Sequence, residues 1–520
     1  MKKLHSLAIL LFTFLVINNS FAQISSSEID VLVENALKEF NVAGTAVAIV
    51  KDGKIIHSKG YGLISVDTKK PVNKFTSFAI ASNSKAFTTT ALAMLVEEGK
   101  IKWDDKVVQH IPEFKMYNAY VTENFSIVDL LTHRSGLSLG IGDLMWVPDG
   151  SDFTIDDLLN NFQYFKPVSA FRTQFDYDNL LYFVAGELIK RVSGMPWEEF
   201  VQKRIFNPLG MNQSYTSISN IKVFNNIAVP HTTETGPIRT TAHYEKMING
   251  AAAGIIANVD DLSRWMLVHL NKGKYGDDLK KQLFSEKSQN KMWKVYTPQN
   301  ASKNPRYNSH FAGYGLGWGL TDLNGNLSVS HTGGLPGMLS KTVLIPDLNL
   351  GVVVLTNTSN GGAGVFSAVS KTIVDSYLGL DDNDWTKIYS EYFTKQESEG
   401  NAVTKKVWET VAKTSNKNIN PEDYMGVYND NWFGKITISL KNGRLWFTSH
   451  RSPKLNGPMS YYKANSFAIK WEFQDMNGDA FAMFSLDEEG KAQSIKMKGI
   501  SPNIDFSFDF QDLDLQRVKE

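Results

Sequence analysis

Apolar and polar positions alternate in two separate stretches of the chain, with a helical period between them. Near the start, the runs 46–50 and 54–61 lie on either side of Asp52-Gly53, a dipeptide suited to the positive φ angles of a two-residue turn. This predicts a β-hairpin. The period then shifts to 3.6: residues 86–98, 178–192 and 260–270 each carry helical periodicity, and the first two stop at Gly99 and near Gly194. Strand patterns return at 342–345 and 351–356 around Pro346-Asp347, and 363–378 reads as a closing helix. An N-terminal hairpin and late strands in one sheet, with a helical insert between them, make an α+β plan.

From about 382 to 421 the chain turns polar and reads as a connector. Beyond it, 435–440 and 444–448 flank Asn442-Gly443, and apolar alternation recurs at 467–473, 480–486 and 504–510. That pattern predicts an all-β module, a small barrel or sandwich. Its aromatics (Trp432, Trp446, Tyr461, Tyr462, Trp471) read as barrel core rather than a glycan platform. At the other end, Met1-Lys2-Lys3 precedes an apolar run at 7–17 and the small residues of Ser20-Phe21-Ala22. This is the layout of a secretory leader cleaved before Gln23, and the run is too short to span a bilayer. The expected organisation is a leader at 1–22, a first domain at 23–381, a linker at 382–421 and a β module at 422–520, secreted or periplasmic, with no integral membrane segment after cleavage.

Composition narrows the chemistry. The 54 Lys+Arg balance 54 Asp+Glu, and loss of Lys2 and Lys3 with the leader leaves 52 basic residues. No cationic surplus exists to displace counterions from phosphate, so a nucleic-acid partner is not expected. With no cysteine in the chain, disulfides, thiolate metal sites and a Cys nucleophile are excluded. The histidines show no zincin-type spacing, and His57, His110, His133, His231, His243, His269, His310 and His450 read as structural, so neither metal nor organic cofactor is expected. Acidic pairs at 104–105, 156–157 and 260–261 fall at predicted helix starts, where capping and the helix dipole account for them.

Two serine motifs remain. Gly136-Leu137-Ser138-Leu139-Gly140 matches the Gly-x-Ser-x-Gly elbow, but a helical pattern precedes it where a strand is required, so it reads as a glycine-rich loop. Ser82-Asn83-Ser84-Lys85 matches Ser-x-x-Lys, as do the tetrads beginning at Ser219, Ser288 and Ser460. Context separates Ser82: a short apolar approach precedes it and a helix follows. Residues i and i+3 share a helix face, which brings the Lys85 amine beside the Ser82 hydroxyl. A serine needs a neighbouring base, and a lysine serves when burial depresses its pKa. The helix start also offers the Ser82 backbone N–H to an oxyanion.

Further along, Tyr177-Asp178-Asn179 opens one predicted helix and His331-Thr332-Gly333-Gly334 precedes a predicted strand. Ser-x-x-Lys, Tyr-x-Asn and His-Thr-Gly in that order resemble the serine β-lactamase and penicillin-binding protein superfamily, above all its class C-related branch with esterases and D-aminopeptidase-like hydrolases. Supporting phrases run from Ile80-Ala-Ser-Asn-Ser-Lys-Ala-Phe87 through Leu130-Leu-Thr-His-Arg-Ser-Gly-Leu137 to Tyr314-Gly-Leu-Gly-Trp318, and the likeness covers about 35–380. The resemblance implies a β-lactamase-like antiparallel sheet flanked by helices, and a lipocalin-like C-terminal module serving in oligomerisation or in shaping the cleft.

It also implies roles. Ser82 would become acylated; Lys85 and Tyr177 would share the proton work, with the choice of base left open. Asn179 would hydrogen-bond Lys85 and a substrate amide, the His331-Thr332-Gly333 strand would bind substrate, and the N–H groups of Ser82 and Gly334 would form the oxyanion hole. Asp178, where serine is commoner, is expected to point away from the site. His331 replaces the usual lysine, a cation suited to a substrate carboxylate, which favours ester or N-terminal aminoacyl substrates over β-lactams and D-Ala-D-Ala termini, within a wider expectation of peptide or amide (D-aminoacyl ones included) or ester substrates. A β-lactamase or D-Ala-D-Ala carboxypeptidase is the alternative among enzymes, and a catalytically idle relative acting as a cell-envelope binding or scaffold protein is the alternative of another class.

Overall fold

The computed structural model describes residues 23–414 and 419–519. The expected leader lies outside the described residues. The first domain begins with α1 (Ser26–Glu39), which packs behind the hairpin β1 (Gly44–Lys51) and β2 (Lys54–Gly62). Asp52 and Gly53 take φ of 49° and 78°, the conformation expected of that turn. The insert carries α2 (Ser84–Glu97), α3 (Leu180–Ser193) and α4 (Val259–Leu270), and then the chain returns to β structure. There β3 (Thr297–Gln299), β4 (Ala312–Tyr314), β5 (Gly319–Leu323), β6 (Asn326–Leu335), β7 (Met338–Ile345) and β8 (Leu350–Thr356) complete one antiparallel sheet in the order β2-β1-β8-β7-β6-β5-β4-β3. His331-Thr-Gly-Gly therefore lies inside a strand rather than before one.

The sheet is buried on both faces. Ala46, Ala48 and Val50 point towards α4 and the insert, while Val47, Ile49, Val352 and Val354 face α1 and α5 (Ser359–Tyr377). Central strands sandwiched in this way read as near-continuous apolar runs, as 350–356 does. The polar stretch after it is no open connector. It contains α6 (Trp385–Thr414), whose buried residues are Trp385, Gly400 and Val407.

The C-terminal module is a closed eight-stranded antiparallel barrel: β9 (Gly426–Asp430), β10 (Gly434–Lys441), β11 (Arg444–Ser449), β12 (Asn456–Lys463), β13 (Ser466–Ile469), β14 (Ala480–Leu486), β15 (Ala492–Gly499) and β16 (Leu515–Arg517). Trp432 and Trp471 are buried core aromatics. Residues 504–510 do not form the expected strand but a loop that leaves the barrel and reaches the first domain. Among the described residues no helix is long and apolar enough to cross a membrane.

Candidate active site

Ser82 sits in a single 3-10 turn, Ala81–Asn83, that runs directly into α2. Ala81 holds φ of 48°, a left-handed conformation that costs an L-residue roughly 1–2 kcal/mol and persists only when its surroundings enforce it. Here β6 and β7 do so. Ser340 Oγ donates to Ile80 O at 2.7 Å, and Asn83 Nδ2 donates to Ser340 Oγ at 2.8 Å. Gly333 presses on the same carbonyl: a Cβ there would stand 2.1 Å from Ile80 O.

Lys85, the second residue of α2 and one turn beyond Ser82, is fully buried. Its Nζ lies 3.0 Å from Ser82 Oγ, 2.8 Å from Asn179 Oδ1 and 3.0 Å from Ala252 O. Burial pushes the amine down to about 7, against the opposing pull of Asp143 and Asp178. In the other three Ser-x-x-Lys tetrads the lysines (Lys222, Lys291, Lys463) are exposed. Geometry thus singles out the tetrad that the sequence context had singled out.

Asn179 precedes α3, and its two amide atoms are committed to different partners. Oδ1 accepts from Lys85, while Nδ2 donates to Asp143 Oδ2 at 2.8 Å. Asp143 is fully buried and also accepts from the Trp146 indole and from Ser507 Oγ, both at 2.8 Å. Burial pushes its carboxyl up to about 7. Tyr177 places its ring 4.9 Å from Lys85 Nζ, with the His133 ring 4.1 Å from it on one side and Phe506 edge-on at 5.9 Å. Its hydroxyl is buried with no hydrogen-bond partner, and burial drives the phenol well above 10, although the adjacent Ser82 hydroxyl acts the other way.

His331 is buried on β6 between Tyr314 Oη, 2.8 Å from Nε2, and the Thr332 carbonyl at Nδ1. A carbonyl only accepts, so Nδ1 carries the proton and Nε2 receives the Tyr314 O–H. Burial, reinforced by Lys85, pushes the imidazole down to about 4, so the residue is neutral at pH 7. Thr332 and Gly334 occupy the exposed face of the same strand. The two-residue Pro336-Gly337 turn makes Leu335 and Met338 a hydrogen-bonded pair, and alternation then points the Gly334 N–H away from β7. On that side β5 pairs with β6 only as far as Ser330, which leaves the Gly334 N–H facing the cleft. The Ser82 N–H, at a helical start, has no intrahelical acceptor. Beside Gly334 opens a recess of about 280 Å³ walled by Trp146 and Leu335 on one side and by Met476, Asn477, Ser507 and Phe508 of the barrel on the other.

Asp178, expected to point away from the site, turns its Oδ1 to cap α3 by accepting from Leu180 N at 2.9 Å; it is fully buried, and burial beside Asp143 raises it to about 8. His133 is more than a bystander, since its Nδ1 accepts from the Asp178 N–H and its ring supports Tyr177. Asp143, Trp146 and Ser507 carried no local signal at all. Among the described residues, no group of three metal-ligating side chains converges.

The family model for the beta-lactamases matches residues 29–368. The chain belongs to the beta-lactamase family of serine hydrolases. Outside this beta-lactamase domain, a model described as a domain of unknown function, DUF3471, matches residues 412–517. Relatives of the beta-lactamase domain include Protein flp of Staphylococcus aureus (strain MW2), 27% identical over 65% of this chain and 64% of flp, so the match spans a little under two thirds of that relative. An unguisins hydrolase, ungD', of Aspergillus campestris is 26% identical over 69% of this chain and 67% of its own. Among solved structures, the octameric penicillin-binding protein homologue from Pyrococcus abyssi shares the fold, with a TM-score of 0.61 at 20% identity over 95% of this chain and all of that one.

Proposed function

We propose that this protein is an exported serine hydrolase that cleaves ester, amide or aminoacyl-peptide bonds through an acyl-enzyme on Ser82. The supporting observation is the partner set of Lys85. Two of its three neighbours, Asn179 Oδ1 and Ala252 O, are carbonyl oxygens that only accept. A neutral amine gives its two protons to these and turns its lone pair on the one neighbour with a proton to yield, the Ser82 hydroxyl. Lys85 is the general base in this reading. Ser82 Oγ attacks the substrate carbonyl as its proton passes to Lys85, and the N–H groups of Ser82 and Gly334 receive the oxyanion. Tyr177, held as a neutral phenol, relays the proton to the leaving group. Water then attacks the acyl carbonyl, its proton returns through Lys85, and Ser82 is regenerated.

A neutral His331 whose Nε2 is occupied by Tyr314 offers no cation to a substrate carboxylate. That argues against β-lactams and D-Ala-D-Ala termini, and one relative is named as a hydrolase of another kind of substrate, the unguisins. For the barrel, the recess that it walls supports a role in shaping the cleft. Intact mass after a fluorophosphonate probe tests the chemistry: one adduct on the wild type and none on Ser82→Ala is expected, and no adduct on the wild type overturns the reading in favour of an idle scaffold. Turnover of p-nitrophenyl esters or of D- or L-aminoacyl anilides, with nitrocefin untouched, is the expected substrate pattern. Rapid nitrocefin turnover refutes the role given to His331. Export is checked by the N-terminus of the secreted or periplasmic protein, expected at Gln23.

A further inference from the structure

The base assignment above rests on which way round Asn179 presents its amide. A rotated Asn179 places an N–H2 group against Lys85, competes for its lone pair and sets Oδ1 against the Asp143 carboxylate. In the structure Asp143 prevents this by taking the Nδ2 protons at 2.8 Å. Asp143 is held in turn by Trp146 Nε1 on Oδ1 and by Ser507 Oγ on Oδ2. Trp146 is three residues along the same turn, but Ser507 belongs to the barrel and stands 364 residues away in sequence. The loop that delivers Ser507 is anchored beside it: Asp509 accepts from the backbone N–H groups of Gly142, at 2.6 Å, and Leu144, at 2.9 Å, the turn that carries Asp143.

We infer that Ser507 and Asp143 are positioning residues for the serine hydrolysis, and that the C-terminal barrel completes the active site by locking the Asn179 amide through them. The relay runs Ser507 to Asp143 to Asn179 to Lys85, and only its last member touches the nucleophile. It rests on the serine-hydrolase reading, and it adds that the hydrolase domain alone is an incomplete catalyst. The charged and titratable groups around Asp143 are Lys85 from α2, Asp178 and Tyr177 ahead of α3, Tyr244 from the loop before α4, and Asp509 from the barrel loop.

The test is the rate of fluorophosphonate labelling by the full chain, followed by intact mass across pH 5 to 9. Asp143→Asn keeps the shape of the side chain but sets an N–H2 group among donors. Its plateau rate is expected to fall about 100-fold, and its pH midpoint to move down, because an anion that favours protonated Lys85 has gone. Ser507→Ala is expected to slow labelling about 5- to 10-fold, and Ser507→Thr, which restores the hydroxyl, to recover most of that. Lost stability alone lowers the labelled fraction without moving the midpoint, so the midpoint reads the relay even in a weakened fold. Wild-type rates and an unmoved midpoint in both Asp143→Asn and Ser507→Ala overturn the relay while the hydrolase reading stands. Failure of the wild type to label at Ser82 removes both.

Discussion

A lysine amine enclosed by two carbonyl oxygens and one hydroxyl has a single direction in which its lone pair meets a proton, and Lys85 is in that position. The sign of its pH dependence follows. Burial brings its pKa to about 7, so the base form predominates above that pH and is lost tenfold per unit below it. Labelling of Ser82 is expected to rise through pH 7 to a plateau, and Lys85→Met to label at least 100-fold more slowly than that plateau, with the gap closing as pH falls. A wild-type rate that is flat from pH 5 to 9 removes Lys85 as base. At this scale the sequence was informative wherever chemistry is local. Ser82 and Lys85 are one helical turn apart, and Asn179 and His331 belong to short recognisable strings. Asp143 was invisible because its meaning comes from Asn179 and Ser507, which no spacing connects to it. The burial of Asp178 was not legible, because one position in a string does not say what will pack over a helix start.

Between elements, the closest approach in the site is that of β6 to the turn before α2, and two neighbouring glycines separate its consequences. A Cβ on Gly333 meets the Ile80 carbonyl, backbone that cannot yield without moving Ser82, whereas a Cβ on Gly334 meets only Leu339 Cδ2 at 3.2 Å, the end of a flexible side chain. Gly333→Ala is expected to lower stability by about 1–3 kcal/mol, as overpacked sites do, and to slow Ser82 labelling. Gly334→Ala is expected to unfold within about 0.5–1 kcal/mol of the wild type, both read from urea midpoints. Equal midpoints for the two variants contradict the packing argument. Element type was legible where pattern and punctuation agreed: the hairpin at Asp52-Gly53, and α2, α3 and α4 to within two residues of the expected bounds. It failed at α6, where Trp385, Ile388, Tyr389, Tyr392 and Phe393, then Val403, Val407, Trp408 and Val411, do recur at helical spacing, but the charged residues between them and the small number of buried side chains made the stretch read as a polar connector. It failed again at 504–510, where the alternation of Ile504, Phe506, Phe508 and Phe510 arises from a loop wedged between two domains rather than from one pleated sheet.

For the molecule as a whole, one apolar core runs from the insert into the barrel, where Phe165 meets Trp432 edge-on at 5.5 Å. Polar contacts cross the same boundary: Asn161 Nδ2 donates to Trp432 O, and Arg451 pairs with Asp152 and Asp157. Protonation in the site is therefore expected to register in the unfolding of the whole chain. Burial raises three carboxyls there, Asp143 to about 7, Asp178 to about 8, and Asp509 well above the ordinary carboxylate value. Each binds a proton more tightly folded than unfolded, so its contribution is fully present below about pH 4 and is lost as pH rises through its folded value. Lys85 has the opposite sign, but its effect begins only above about 7. The buried imidazoles of His133 and His331, both held below the ordinary histidine value, also have the opposite sign and act mainly below about pH 6.5, so the carboxyls are read from the difference between the wild type and a variant that lacks one of them. Asp178→Asn isolates one of them. The amide keeps an oxygen to cap the Leu180 N–H, and the oxygen it replaces, Oδ2, has no partner to lose. This variant is expected to melt higher than the wild type at pH 8, to converge with it towards pH 4, and to show a gap that widens as pH rises between. Calorimetry at three pH values decides the matter, and parallel curves for the two proteins would place the pH dependence outside this buried cluster.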